Sequence, residues 1–335
     1  MPNSINNIEV PSVTLSVIVP VFNEEEVLLI FHRRLINTLS DMNEIFEILY
    51  IDDGSTDSSP QILQHLRLQS PAVGTARFSR NFGKEAAMSA GLRLSQGKVV
   101  IVIDADLQDP PELIPDMFAA WLKGADVVNM RRRVRDGESW FKKATAKVFY
   151  RILNRMSEVP IPEDVGDFRL LSRRAVDALN QLSERNRFMK GLFAWIGYSQ
   201  VTLEYDRNAR AAGQTKWRYW NLWNFAIEGI TGFSISPLKA ASYVGFCSAG
   251  FAFIYAIYFL LKTVFLGDIA PGFPTLITAI LFLGGLQLMA LGVIGEYLGR
   301  LFIESKRRPL FLLDEYHASF GKVSPESVLV GTTSN

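Results

Sequence analysis

Apolar residues fall along the first part of the chain in short runs separated by polar or helix-periodic segments. Leu15–Val21 (LSVIVPV) is the first run; its β-branched residues predict a buried strand. Asn23 and the three glutamates after it predict a helix start, followed by an amphipathic segment to about residue 39. Runs at 46–51 (FEILYI), 75–79 and 98–103 (KVVIVI) predict further strands, with a helix over 84–94 between the last two. Pro110 and Pro111 open a helix over 112–122, and 125–130 predicts another strand. Apolar strands alternating with helices define an α/β class, with a mostly parallel sheet covered on both faces.

The pattern changes after residue 239. Residues 240–305 contain only five charged side chains: Lys262, Asp268, Glu296, Arg300 and Glu304. Two uncharged stretches, 240–261 and 269–295, would make helices of about 33 and 40 Å, enough to cross a hydrocarbon core of about 30 Å. Gly267, Pro271 and Gly272 mark the turn between them. Lys239 precedes the first stretch, and Arg300, Lys306, Arg307 and Arg308 lie at the end of the second, so the positive-inside rule expects both termini on the cytoplasmic side. Residues 1–13 lack the basic-then-apolar build of a signal peptide. The expected division is a cytoplasmic domain at 1–235, a two-helix transmembrane hairpin at 236–304 and a cytoplasmic tail at 305–335.

Composition sharpens this picture by exclusion. The 335 residues carry 35 basic and 34 acidic side chains, a net charge of +1, which gives no reason to expect a nucleic-acid partner. One cysteine, Cys247, allows neither an internal disulfide framework nor a cysteine zinc site. Neither the glycine-rich dinucleotide fingerprint nor a phosphate loop with Gly-Lys-Ser/Thr occurs. With three histidines in all, a histidine-driven mechanism is not expected.

In a mostly parallel sheet, ligands bind beyond the carboxyl ends of the strands. Three expected strand ends carry polar groups there: Asn23 and Glu24, Asp52 and Asp53, and the stretch from Asp104 to Gln108. The Asp104-Ala105-Asp106 triplet with Gln108 offers hard oxygen ligands of the kind that hold Mg²⁺ or Mn²⁺ together with substrate phosphates. Asp109, just ahead of Pro110, reads better as a helix cap than as a ligand.

The segments Val19 to Glu24, Asp52 to Asp57 and Asp104 to Glu112 resemble the ordered motifs of glycosyltransferase family 2, which has the GT-A (Rossmann-like) fold. Gly166 to Leu170 and Arg210 to Trp217, followed by two spans, resemble its polyprenyl-phosphate branch, which includes dolichyl-phosphate mannose synthases and bactoprenol glucosyltransferases. The resemblance implies a nucleotide-sugar donor held by Pro20, Asn23, Glu24, Asp52 and Asp104. It implies a metal, Mg²⁺ or Mn²⁺, at Asp104, Asp106 and Gln108. The implied reaction is inverting transfer of one hexose, glucose from UDP-glucose first, with GDP-mannose or another UDP-sugar as the alternative donor. The implied acceptor is a polyprenyl phosphate in the lipid bilayer, of a bacterial inner or plasma membrane.

A phosphate monoester has a second pKa near 6, so at neutral pH the acceptor is already largely anionic and needs little help from a general base. What remains is positioning and cationic compensation, for which Arg131, Arg135, Arg210 and Lys216 are the candidates. Asp167 is expected to orient the acceptor or a sugar hydroxyl, or to act as a weak base; pairing with Arg169 to hold its loop is the structural alternative. Residues 139–156 interleave aromatic and aliphatic with basic positions, as an interfacial helix would, and 217–233 is a second aromatic stretch. Gly245, Ala249, Gly284, Gly285 and Gly292 would permit close helix packing, within one chain or in a homo-oligomer. Two other readings are a processive polysaccharide synthase, for which the Gln/Arg-x-x-Arg-Trp signature is lacking, and a non-catalytic membrane scaffold.

Overall fold

The computed structural model describes residues 12–133, 165–185, 187, 189–205, 236–266 and 272–321. The expected sites Arg135, Arg210 and Lys216, and the aromatic stretches 139–156 and 217–233, lie outside the described residues. The chain divides into two units, one holding the sheet and one holding the long apolar helices.

In the first unit, β1 (Leu15–Val21), β2 (Phe46–Asp52), β3 (Val73–Phe78) and β4 (Val99–Val102) form a parallel set, with α1 (Leu28–Asp41), α2 (Ser59–Gln69) and α3 (Lys84–Leu94) between them. A 3₁₀ turn (Pro111–Leu113) leads into α4 (Ile114–Leu122) and β5 (Val127–Arg132). After β5 come β6 (Val165–Ser172), α5 (Arg173–Gln181), α6 (Met189–Trp195) and β7 (Gln200–Tyr205). The eight strands run in the order β7-β5-β6-β4-β1-β2-β3-β8, with β8 (Leu313–His317) at the far edge. Most pairings are parallel, as expected, but β6 is antiparallel to both β4 and β5, and β8 is antiparallel to β3.

Period-2 alternation along β1 sorts its side chains between two layers. Leu15, Val17, Val19 and Val21 join α1 residues Phe31, Leu35 and Leu39 and α4 residues Met117 and Phe118 in one buried cluster. On the opposite face α3 lies so close to β1 that a Cβ on Gly91 would stand 2.2 Å from Cγ2 of the buried Ile18. Helix α1 begins at Leu28, later than the run of glutamates suggests. Asn23 adopts φ +56°, and the amides of Glu24 and Glu25 are taken by Ser59 Oγ (3.0 Å) and Asp57 Oδ2 (3.1 Å), so this turn ties the β1 end to the loop after β2.

The segment expected as a free tail contributes to the sheet. Leu313–His317 pairs with β3, and Phe311 is buried with its ring stacked on Phe78 at 5.0 Å between centroids. Ser319 Oγ donates to the fully buried Glu47, whose other oxygen accepts from Ser16 Oγ (2.5 Å) and the Gln96 amide (2.8 Å). A buried carboxylate in a sheet core is tolerated because each oxygen is hydrogen-bonded.

The second unit contains α7 (Ser236–Leu266) and α8 (Phe273–Ser305), which pack against one another. Both are long and apolar enough to cross a membrane, over Leu238–Tyr255 and Thr278–Ser305. Phe246, Phe251, Leu288 and Met289 are among the large apolar side chains they leave exposed, the surface expected of a helix solvated by lipid. Near the end of α8, Glu296 and Arg300 pair at 3.1 Å, one turn apart, which lowers the cost of carrying charge there.

Candidate active site

Three loops at the carboxyl ends of β1, β2 and β4 build one edge of the site. In the first, Pro20 lies past the last β1–β4 pair, Ile18 with Val102, where a residue without an N–H interrupts nothing on that side. Asn23 Oδ1 accepts from the Thr56 amide (2.9 Å), and its own amide donates to Ser55 Oγ (3.0 Å). Asn is among the residues that tolerate the left-handed backbone this turn requires.

In the second loop, Asp52 is buried; Oδ1 accepts from the Ser55 amide (2.9 Å), and Oδ2 lies 3.4 Å from Arg77 Nε. Among the described residues Oδ2 has no hydrogen bond and is balanced by this ion pair with Arg77. Gly54 has φ +70°, and a Cβ there would stand 2.6 Å from the Arg80 carbonyl carbon; the loop closes on Arg80 only with glycine. Asp53 accepts from the Phe82 amide (2.6 Å) and the Gly83 amide (2.9 Å) and so clamps the turn that leads into α3. Burial pushes the Asp53 carboxyl up, with those two amides pulling against it.

The third loop carries Asp104, Asp106 and Gln108. Leu107 sits at φ +62°, an unfavourable backbone for a branched side chain of the kind that persists at functional loops. Asp106 Oδ1 accepts from the Gln108 amide at 3.1 Å, which tightens the loop. Asp109 is not the helix cap expected of it: the capping position belongs to Pro110, while the buried Asp109 carboxylate takes the Tyr205 hydroxyl at the end of β7.

Asp167 reaches this edge because β6 runs backwards. Antiparallel pairing of Val102 with Arg169, and of Arg131 with Val165, brings the start of β6 beside the ends of β4 and β5. There Lys84 Nζ, at the first residue of α3, donates to Asp104 Oδ2 (2.7 Å) and to Asp167 Oδ2 (2.5 Å). Asp167 is thus partnered by Lys84, while Arg169 donates to the Gly166 carbonyl (2.7 Å) and lies 3.8 Å over the Phe193 ring. Burial opposes ionisation of Asp167, but the Lys84 and Lys190 ammoniums outweigh it and hold the carboxyl well below the usual range. Lys84 is pushed up, because its two carboxylates outweigh its own burial. Next to it, burial and the nearby Asp167 charge push Glu85 up to about 8.

Arg131, on β5, pairs with Glu204 of β7 and is half exposed. Asp104, Asp106 and Gln108 stand on one loop, whereas Asp167 joins Asp104 only through Lys84. Among the described residues no three acidic, histidine or cysteine side chains converge. Two carboxylates and one amide oxygen on a single turn nevertheless suit a hard cation that takes its remaining ligands from substrate phosphates. A cavity of about 480 Å³ between α4 and β7 contains none of these carboxylates and belongs to a different face of the sheet end.

Sequence reading missed Lys84 and the clamp by Asp53. The available signal was Asn81-Phe82-Gly83-Lys84, a glycine turn and a lysine directly at a helix start after a strand.

Comparison with known proteins identifies the family. Residues 16–179 match the model of Glycosyl transferase family 2, and residues 236–301 match that of the GtrB C-terminal hairpin. An uncharacterized glycosyltransferase of Synechocystis sp. is 49% identical over 304 residues, covering 91% of this chain and 96% of the relative. The bactoprenol glucosyl transferase of Shigella phage SfV is 44% identical over 303 residues, covering 89% of this chain and 97% of the relative. Among solved structures, mannosyl-3-phosphoglycerate synthase from Rubrobacter xylanophilus matches 64% of this chain and 71% of its own with 18% identity and a TM-score of 0.46. The motifs at the strand ends, the reversed strand that carries Asp167 and the apolar hairpin all fall within the regions that the relatives share, and the chain belongs to glycosyl transferase family 2 as a GT-A glycosyltransferase.

Proposed function

We propose that this enzyme transfers one glucose from UDP-glucose to a polyprenyl phosphate at the cytoplasmic face of a membrane, in a single inverting displacement that requires a divalent cation. The observation that carries the reading is near-full-length similarity, hairpin included, to relatives named bactoprenol glucosyl transferase.

The residues fit distinct parts of that reaction. Asp52, at the end of β2, is assigned to the nucleoside, with Pro20, Asn23 and Glu24 in the neighbouring turn. Asp104, Asp106 and Gln108 would hold Mg²⁺ or Mn²⁺, which when bound neutralises the leaving diphosphate. The acceptor phosphate is already anionic, so the protein's task is to align it in line with the leaving oxygen and to exclude water. Asp167, kept ionised by its lysine neighbours, accepts a hydrogen bond from a sugar hydroxyl and compensates the positive charge that develops at the anomeric carbon. Arg131, Arg135, Arg210 and Lys216 are assigned to the acceptor and donor phosphates, since a guanidinium grips phosphate bidentately and an ammonium serves as a point charge. The hairpin holds the enzyme in the bilayer where the acceptor headgroup resides, with both chain termini cytoplasmic.

The test is a transfer assay on purified full-length protein with labelled UDP-glucose, UDP-galactose and GDP-mannose, a short polyprenyl phosphate, and Mg²⁺ present or chelated. Lipid-linked product is expected with UDP-glucose and only with the cation. Product with GDP-mannose alone would overturn the donor assignment, and full turnover under chelation would overturn the metal.

A further inference from the structure

Lys84 lies 20 positions before Asp104 and 83 before Asp167, yet its ammonium bonds to both. Its place is fixed from behind. It is the first residue of α3, and the preceding turn, with Gly83 at φ +97°, is held by the two amide bonds to Asp53. The lysine is also the outermost member of the group: its side chain is 41% exposed, against 23% for Asp104 and 18% for Asp167. A positive charge therefore already occupies an oxygen of each of two carboxylates, one of which belongs to the proposed cation site.

Charge arithmetic decides what this arrangement does. A divalent cation on Asp104 would stand a few ångströms from Nζ, and repulsion between like charges at that range is strong even in a partly solvated site. A nucleotide diphosphate arriving with the cation brings enough negative charge to compensate both. We infer that Lys84 is the resident counter-cation of the Asp104–Asp167 pair, and that it makes the divalent cation enter together with the donor diphosphate instead of ahead of it. This rests on the assignment of the cation to Asp104, Asp106 and Gln108. Lys84 acts through the two aspartates and is a positioning residue. The other charged groups near Asp167 are Glu85, Arg169 and Lys190. All three remain when Lys84 is replaced, so a change on replacement reports the Lys84 charge.

Binding of Mn²⁺ to the detergent-solubilised full chain, read from the electron paramagnetic resonance signal of the free ion, tests this without turnover. Wild type, Lys84→Met, Lys84→Arg and Asp106→Ala are compared with Mn²⁺ alone and with Mn²⁺ plus UDP. Lys84→Met is expected to bind Mn²⁺ alone about ten-fold tighter than wild type or more. Lys84→Arg, which keeps the charge, is expected to stay near wild type, and UDP should narrow the gap between Lys84→Met and wild type. Lys84→Gln provides a second neutral variant, and a melting temperature equal to wild type shows that each variant is folded. Equal or weaker Mn²⁺ binding in both neutral variants, or an equal gain in Lys84→Arg, would overturn the inference. Asp106→Ala separates this from the underlying assignment: if it binds Mn²⁺ with UDP as wild type does, the ligand set itself is wrong. If it weakens binding while the neutral variants show no gain, only the role of Lys84 falls.

Discussion

The half of the sheet built by β4, β1, β2 and β3 meets the site differently from the half built by β6, β5 and β7. In the first half every strand runs toward the site, and the loops at the carboxyl ends deliver Asn23, Asp52, Asp104 and Asp106. This follows the general rule for parallel sheets, since a crossover through a helix returns each strand in the same direction. In the second half β6 is reversed between two neighbours, and its beginning, not its end, carries Asp167 to the same edge. The parallel half gathers the polar groups assigned above to the nucleotide and its diphosphate; the reversed strand brings one more carboxylate to the same edge. Lys84 bridges a carboxylate from each half.

Substitutions on each side break this comparison in different ways. Asp106→Ala in the parallel half is expected to lower transfer on the order of 10³-fold and to weaken donor binding, because the cation and the diphosphate are held together. Steady-state kinetics at varied donor concentration would show it; turnover near wild type would remove the proposed cation chemistry. Asp167→Asn is expected to lower kcat about 10²-fold while leaving the donor KM nearly unchanged, the signature of an interaction made mainly in the transition state. A raised KM with normal kcat would instead place Asp167 with the nucleotide.

Two stability changes sharpen the contrast further. Gly91→Ala would force a methyl into Ile18 where α3 meets β1, at an expected cost of about 1–3 kcal/mol. Thermal unfolding reads this directly, and an unchanged melting temperature would mean that α3 can shift away from the sheet. Ser319→Ala removes the donor to one buried Glu47 oxygen, at about 1.5–3 kcal/mol. Amide hydrogen exchange is expected to rise most in Leu313–His317, the strand that this contact pins to the edge.

Legibility in the sequence follows the same division. The strands β1, β2 and β4 are predominantly apolar runs buried on both faces, and such runs can be read without knowing their neighbours. Their polar ends were therefore legible as groups gathered at one edge of the sheet. The strand β6 (VGDFRLLS) carries Asp167 and Arg169 within it, and β8 (LDEYH) is an edge strand with mostly exposed positions. Most of β6 is buried, but its glycine, aspartate and arginine break the apolar run, and β8 is too exposed to show an alternation of its own. Another reason hid Lys84: a lysine at a helix start is ordinary by itself and becomes a site residue only through Asp104 and Asp167. Asp109 was misread for a comparable reason, since its partner, Tyr205, lies 96 positions away.

The proposed reaction has a stereochemical consequence that one measurement can read. A single displacement by the acceptor phosphate, as proposed, would invert the anomeric carbon. The anomeric configuration of the glucosyl phosphate lipid, made from UDP-α-glucose by the purified protein and determined by proton NMR before it can rearrange, should be β. An α-linked product would contradict the single displacement at this site.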